Sequence, residues 1–381
     1  MSYQLKTRLE TKTPKRILAL DGGGIRGALS LGYLAKIEEI LRAQHGGNPD
    51  FRLCDYFDLI GGTSTGSIIA GALAIGLSVE EIKKSYVQLG ATIFGKTRFL
   101  GALRGAKFNP VALEKGLQDT FGNIKLGDED LRTGLCVFAK RVDTQSLWTL
   151  NNNPNFPFYE YNKDLPLWEA IRASAAAPTF FDPVKIETRS DGIEAKIKGI
   201  FTDGGISPAN NPALWLLMMS RTKAYGFNWE AGADQLLLVS VGTGKSKAAF
   251  DLNKVEDWTT LNWAQQLPDI MISDFTLYNE ILLHLLSESP TRSHYDSVLK
   301  DLAGEQLGKE PICTYMRYNM YIEQEKLAQL HEKYEGISES KIKSLVDFTA
   351  GKNVEELFEI GQLAAEEEVA TDHFEQQFAI K

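Results

Sequence analysis

The five residues Gly62-Thr63-Ser64-Thr65-Gly66 match the pattern GxSxG. A serine at a sharp strand-to-helix turn exposes its hydroxyl, and small flanking residues leave room for an ester carbonyl to approach. An apolar run, Tyr56–Ile60, precedes the turn, and a small-residue stretch, Ser67–Leu77, follows it as a helix. That placement also puts Ser64 at a helix N-terminus, where partial positive charge favours an alkoxide. Taken alone, the same letters describe a glycine turn with a solvated serine, or a serine capping a helix.

A second constellation is Asp21-Gly22-Gly23-Gly24-Ile25-Arg26-Gly27. Three successive glycines let backbone amides approach an oxygen without side-chain obstruction, as an oxyanion hole requires. Losing one donor from such a hole costs roughly 3–4 kcal/mol of barrier. Arg26 could brace the loop or attract a phosphate head group. The letters also fit GxGxxG, the dinucleotide fingerprint. Against that reading, Asp21 would set a like charge beside a pyrophosphate, and no acidic residue after Tyr56–Ile60 is placed for a ribose. A nucleotide-binding α/β oxidoreductase therefore stands as the alternative.

The third constellation is Asp203-Gly204-Gly205, at the end of a predicted strand and before Asn210-Asn211-Pro212. An aspartate there can reach a neighbouring strand's terminus, although Asp-Gly is also a common hairpin turn. The five histidines, His45, His284, His294, His331 and His373, stand in no active-site motif. The order Ser64, Asp203, His284 or His294 would fit an α/β-hydrolase triad, but only one strand–helix unit precedes Ser64.

These residues must be held by a sheet. Arg16–Leu20 reads as a buried strand, Gly27–Gln44 as a helix closed by Gly46-Gly47, and Tyr56–Ile60 as the next strand. Two strand–turn–helix units in the first 80 or so residues imply an α/β fold with a mainly parallel sheet. Thr133–Lys140, Ala195–Phe201 and Gln235–Val241 are further strand candidates. Helices are predicted over Pro166–Ala177, Pro212–Ala224, much of 255–290, and intermittently after Glu323. Residues 1–15 read as a polar lead-in, 16–250 as the catalytic domain, and 251–381 as a mainly helical extension packed on it.

In this order, DGGGIRG, GTSTG and DGG resemble the patatin-like phospholipase family. WEAIRASAAAPTFFDPV (Trp168–Val184), LLLVSVGTG (Leu236–Gly244) and YMRYNMY (Tyr315–Tyr321) are similar to further elements of that family. The resemblance spans roughly residues 16–250 and thins beyond them. It implies a three-layer α/β/α fold, with Ser64 as nucleophile and Asp203 as its base in a dyad without histidine. Gly22, Gly23 and Gly24 would form the oxyanion hole, supported by Asp21, Arg26, Gly27, Gly62, Gly66, Gly204 and Gly205. The implied reaction is acyl transfer from a phospholipid or other lipid ester, through an acyl-enzyme, with no metal or other cofactor. A catalytically idle member used for lipid binding or storage is the remaining alternative.

Composition bounds the partners. A net charge of −9 speaks against nucleic acid, which needs a basic surface. Hydrophobic residues make up 43% and charged residues 24%, which fits a folded domain rather than a disordered chain. Three scattered cysteines, Cys54, Cys136 and Cys313, read as reduced thiols, and the N-terminus carries no apolar signal region. The expected location is cytoplasmic, with peripheral contact at the inner face of a membrane, since apolar runs such as Ile68–Leu77 are too short to span. The stretch Ala91–Leu113 interleaves Lys96, Arg98, Arg104 and Lys107 with apolar residues, as an anionic-membrane contact or a lid would. Resemblance to bacterial effectors that answer a signal adds a small-molecule activator or a homo-oligomer as conceivable partners.

Overall fold

The computed structural model describes residues 3–94, 108, 110–188, 197–246 and 255–380. Lys96, Arg98, Arg104 and Lys107 therefore lie outside the described residues. The strands are β1 (Lys15–Leu20), β2 (Leu59–Thr63), β3 (Gly134–Arg141), β4 (Ser146–Asn151), β5 (Val184–Thr188), β6 (Ile197–Asp203), β7 (Leu236–Val241) and β8 (Thr314–Tyr318). Helices that bear on the site are α1 (Tyr3–Glu10), α2 (Gly27–Gln44), α3 (Thr65–Ala74), α4 (Val79–Phe94), α5 (Leu167–Ser174), α6 (Ala213–Arg221), α7 (Thr260–Leu286) and α8 (Val354–Glu368).

The strands form one sheet in the order β5-β6-β3-β2-β1-β7-β8, with β4 also paired to β3. From β3 through β2, β1 and β7 to β8 every pairing is parallel, while β4 and β6 run antiparallel to β3. Side chains on a strand alternate between faces, and β1 illustrates the consequence. Leu18 and Leu20 join a core with Leu29 and Ile37 of α2 and Leu357 of α8. Ile17 and Ala19 join a second core with Leu216 of α6 and Leu283 of α7. All four are fully buried, so the sheet is covered on both faces and reads as continuous apolar runs. This is the three-layer α/β/α arrangement that the sequence implied.

Some strands differ from expectation. The strand expected at Tyr56–Ile60 lies at Leu59–Thr63, because Leu53–Tyr56 forms a helical turn instead, closed by Asp55 accepting the Arg52 N–H at 2.7 Å. Strands β4, β5 and β8 are too short, or too mixed in polarity, to stand out as apolar runs. Beyond residue 250 the chain adds more than helices, because β8 hydrogen-bonds along β7. Helix α8 crosses α2 so closely that a Cβ on Gly32 would meet the Gln362 nitrogen at 2.5 Å, and one on Gly361 the Leu29 carbonyl at 2.2 Å. Only glycine permits that backbone approach.

Asp58, just before β2, is buried and gathers neighbouring elements. It accepts from the Arg16 N–H at 2.9 Å, the Arg16 guanidinium at 3.0 Å, and Arg8 of α1 at 3.0 Å. Removing a buried carboxylate from such a set leaves two guanidinium groups without their shared anion. Asp58→Ala is expected to lower unfolding stability by about 3–5 kcal/mol, read from denaturant midpoints.

Candidate active site

Strand β3 has two edges. Residues Cys136–Arg141 pair with β4, and Gly134–Phe138 pair with β2. The remaining partner, β6, bonds Ala139, Lys140 and Arg141, and so continues along the edge that β2 leaves. The two strands run toward each other, with Thr63 opposite Phe138 and Asp203 opposite Ala139. Ser64 and Asp203 therefore meet over a single step of β3. The Ser64 hydroxyl donates to Asp203 Oδ2 at 2.6 Å.

Ser64 adopts φ 54° and ψ −125°, a strained conformation for a residue with a side chain. Its surroundings impose it. Gly62 and Gly66 face each other across the turn, where a Cβ on Gly62 would lie 2.1 Å from the Gly66 carbonyl oxygen. The Ser64 carbonyl accepts from Ser67 and Ile68 as α3 begins. Its own N–H donates to Ser174 Oγ at 2.9 Å, and Ser174 in turn donates to the Phe138 carbonyl at 2.6 Å. Thus α5 ties the serine turn to β3, a role for Ser174 that sequence reasoning missed, although Ser174 lies inside the family-like segment Trp168–Val184.

Asp203 is buried, and its hydrogen-bond partners are neutral. Oδ1 accepts the Gly205 N–H at 2.7 Å. Burial, only partly offset by the bonds from Ser64 and Gly205, pushes its pKa up to about 6. A carboxylate held there is a stronger base than an ordinary aspartate, yet still ionised at neutral pH. No histidine lines the cleft among the described residues. His284 donates or accepts elsewhere, against Tyr295 and the Thr291 carbonyl, and burial pushes its pKa down to about 4.

The Asp21–Gly27 loop lies against the serine. A Cβ on Gly22 would sit 3.3 Å from Ser64 Cβ. The Gly22 N–H donates to the Asn210 carbonyl at 3.0 Å, whereas the Gly23 and Gly24 N–H groups donate to no group among the described residues. Three anchors hold this loop. Tyr86 of α4 bonds both the Gly24 carbonyl and Thr65 beside the serine. Ile25 N–H donates to the Phe348 carbonyl at 2.8 Å. Asp21 points away from the cleft, into a buried pairing with Arg317 of β8 at 2.6 and 2.9 Å. Arg317 also meets Glu280 of α7 at 2.9 Å, and Glu280 meets Lys245 at 2.5 Å. Arg26 lines the cleft, its Nε lacking any partner among the described residues and one long bond reaching the Gly244 carbonyl.

Ser64, Asp203 and the glycine loop border one cavity of about 840 Å³. Its walls are mainly apolar, with Ile68, Leu89, Leu113, Phe180, Met271 and Phe348 among them. Such a cleft accepts a hydrocarbon chain beside a few convergent polar groups. The family model described as Patatin-like phospholipase matches residues 18–217, which hold the glycine loop, the serine turn and Asp203. The chain belongs to the patatin-like phospholipase family. Patatin-17 of Solanum cardiophyllum is 27% identical over 281 residues, covering 69% of this chain and 70% of that protein. A cGAMP-activated phospholipase of Escherichia coli (strain TW11681) is 31% identical over 233 residues, covering 60% and 62%. Among solved structures, VipD of Legionella pneumophila covers 91% of this chain and 67% of that chain, at 14% identity and a TM-score of 0.35. As a patatin-like phospholipase the chain is a lipid ester hydrolase. None of its described helices is long and apolar enough to cross a membrane.

Within this patatin-like site, Arg317 offsets two buried carboxylates at once. Arg317→Met strands Asp21 and leaves Glu280 with Lys245 alone, raises their proton affinity in the folded state, and costs about 3–5 kcal/mol. Folding then favours proton uptake more than in wild type, so the variant's melting temperature is expected to rise more steeply than wild type's as pH falls from neutrality toward about 5.

Proposed function

We propose that this family member hydrolyses the carboxylic esters of membrane phospholipids through a Ser64/Asp203 dyad. The observation that carries the reading is the 2.6 Å bond from Ser64 Oγ to Asp203 at the end of an apolar cleft. Asp203 takes the hydroxyl proton as Ser64 Oγ attacks the ester carbonyl. The oxygen of the tetrahedral intermediate receives hydrogen bonds from the Gly23 and Gly24 amides, with Gly22 leaving room beside the serine. Collapse expels the alcohol, to which Asp203 returns the proton, and leaves an acyl group on Ser64. Water then attacks the acyl-enzyme with Asp203 again as base, releasing fatty acid and restoring the serine.

Arg26 lines the cleft with only one long bond on its guanidinium among the described residues, so it is the cation suited to a phosphate oxygen of the substrate head group. The dinucleotide reading of the same loop has less to support it, because Asp21 is committed to Arg317 and Gly22 to Asn210. The enzyme works as a peripheral protein on the cytoplasmic side of a membrane. One relative's name includes activation by cGAMP, so a small-molecule trigger belongs in the assay.

Fatty-acid release from phospholipid vesicles, with chelator present and with or without cGAMP, tests this reading. Ser64→Ala and Asp203→Asn are each expected to lower the rate by at least about a thousandfold while remaining folded. Activity that survives both substitutions would falsify the dyad. Because Asp203 must be ionised to act, the rate should climb with pH and reach half its plateau near 6. The raised pKa also means that the ionised carboxylate costs stability, a cost that builds as pH rises from about 3.8 to about 6 and is fully present above that. Asp203→Asn should accordingly melt no lower than wild type at about pH 8, as scanning calorimetry would read.

A further inference from the structure

Helix α7 is two unlike halves. Its C-terminal half is anchored by buried Asn279, Glu280, Leu283 and His284. From Thr260 to Tyr278 no residue is buried at all. Helices in water owe most of their stability to packing an apolar face, so a long helical stretch without such a face is unusual. Several of its large apolar side chains stand in solvent instead, Leu261 at 66% exposure, Trp263 at 47%, Leu267 at 47% and Met271 at 45%. A soluble protein rarely concentrates such groups on one segment unless something covers them.

The position of this half-helix narrows the choice of cover. Ala264, Leu267, Pro268, Met271 and Ile272 form part of the cleft that holds Ser64. The exposed apolar residues are thus continuous with the wall of the catalytic cavity. Charge narrows it further. Residues 255–279 contain Glu256, Asp257, Asp269 and Asp274, and no lysine or arginine. An anionic surface would repel this segment, whereas Trp, Leu and Met suit the boundary between head groups and acyl chains.

We propose that the Thr260–Tyr278 half of α7 is a lipid-docking lid that enters the interface of a zwitterionic bilayer and seats the cleft mouth on it. The inference rests on the hydrolase reading above and names the surface through which that enzyme meets its substrate. Anchoring is by apolar insertion, so salt leaves it unchanged. Pro268 lies within the free half, where it removes one helical hydrogen bond and eases bending toward or away from the cleft.

The test uses the full chain and the double variant Leu261→Gln/Trp263→Gln. Neither residue lines the cleft, and glutamine keeps good helix propensity. Flotation with phosphatidylcholine vesicles measures docking, and a monomeric short-chain nitrophenyl ester measures the chemistry without an interface. The variant should partition to vesicles at least about tenfold less than wild type, with hydrolysis of the monomeric ester within about twofold. Wild-type partition should be the same at ionic strengths of about 0.1 and 0.5 M. Unchanged partition of the variant overturns the proposal, as does wild-type binding that requires anionic lipid and fails at high salt. A wild-type dimer that the double substitution dissolves also overturns it, since a second copy would then be the cover. Failure of wild type to cleave either ester counts against the hydrolase reading, while flotation still decides docking.

Discussion

The shared edge of β3 is the constraint from which the site follows. Two strands from distant parts of the chain, β2 and β6, compete for one line of backbone donors and acceptors, and they divide it end to end. The residue after β2 and the last residue of β6 must then lie side by side, whatever their identity. Placing Ser64 and Asp203 at those positions turns a hydrogen-bonding register into a hydroxyl–carboxylate pair. The rest is accommodation. Glycines 62 and 66 let the chain turn without clashing, Ser174 bonds the Ser64 amide, and α3 starts at once so that its N-terminal charge lies by the hydroxyl. A register shift of one residue in β6 would turn Asp203 to the opposite face of the sheet.

Two buried aspartates near the same loop illustrate how surroundings divide roles. At Asp21 burial still pushes the pKa up, but a full guanidinium opposes it at hydrogen-bond distance, and the pair works as a strut. Asp203 receives one hydroxyl and one backbone amide, with no cation in hydrogen-bond contact among the described residues. Burial, opposed there only by neutral hydrogen bonds, lifts its pKa to about 6. That value bears on how a dyad can dispense with histidine. An aspartate at its ordinary pKa is a poor base for an alcohol, while one far above neutrality would be protonated and useless. A carboxylate near 6 lies in the range where histidine usually serves, and it reaches that range by desolvation alone.

The sequence made local features legible. Helix α2 begins and ends where glycine punctuation predicts, and β1, β3 and β7 fall within a residue of their apolar runs. The motif residues Ser64 and Asp203 were visible because glycines mark the turns that hold them. What sequence reading lost were features set by partners. Strand β2 was placed three residues early because Asp55 and Arg52 close a turn that the apolar residues Tyr56 and Phe57 conceal. The use of the Gly22 amide by Asn210, the grip of Ser174 on the serine turn, and the exposed half of α7 have no local signature, because each depends on a neighbour in space.

The glycine loop explains why the chain after residue 250 belongs to the site. Three glycines give the loop its close approach to an oxygen, but they also make it the segment with most conformational freedom to lose. A preorganised oxyanion hole needs that freedom removed before substrate arrives. Local residues cannot do it, since side chains within the loop would fill the space that the hole requires. The restraint therefore comes from outside. Arg317, 296 positions away, grips Asp21 at the loop's start, and the Phe348 carbonyl fixes Ile25 just past its glycines. Glu280 links Arg317 to α7, so the anchored half of that helix and the glycine loop share one buried ion cluster. Movement of α7 at a lipid surface would be transmitted to the loop through that cluster or absorbed at Pro268, and the exposed half beyond Asn279 leaves the second route the softer one.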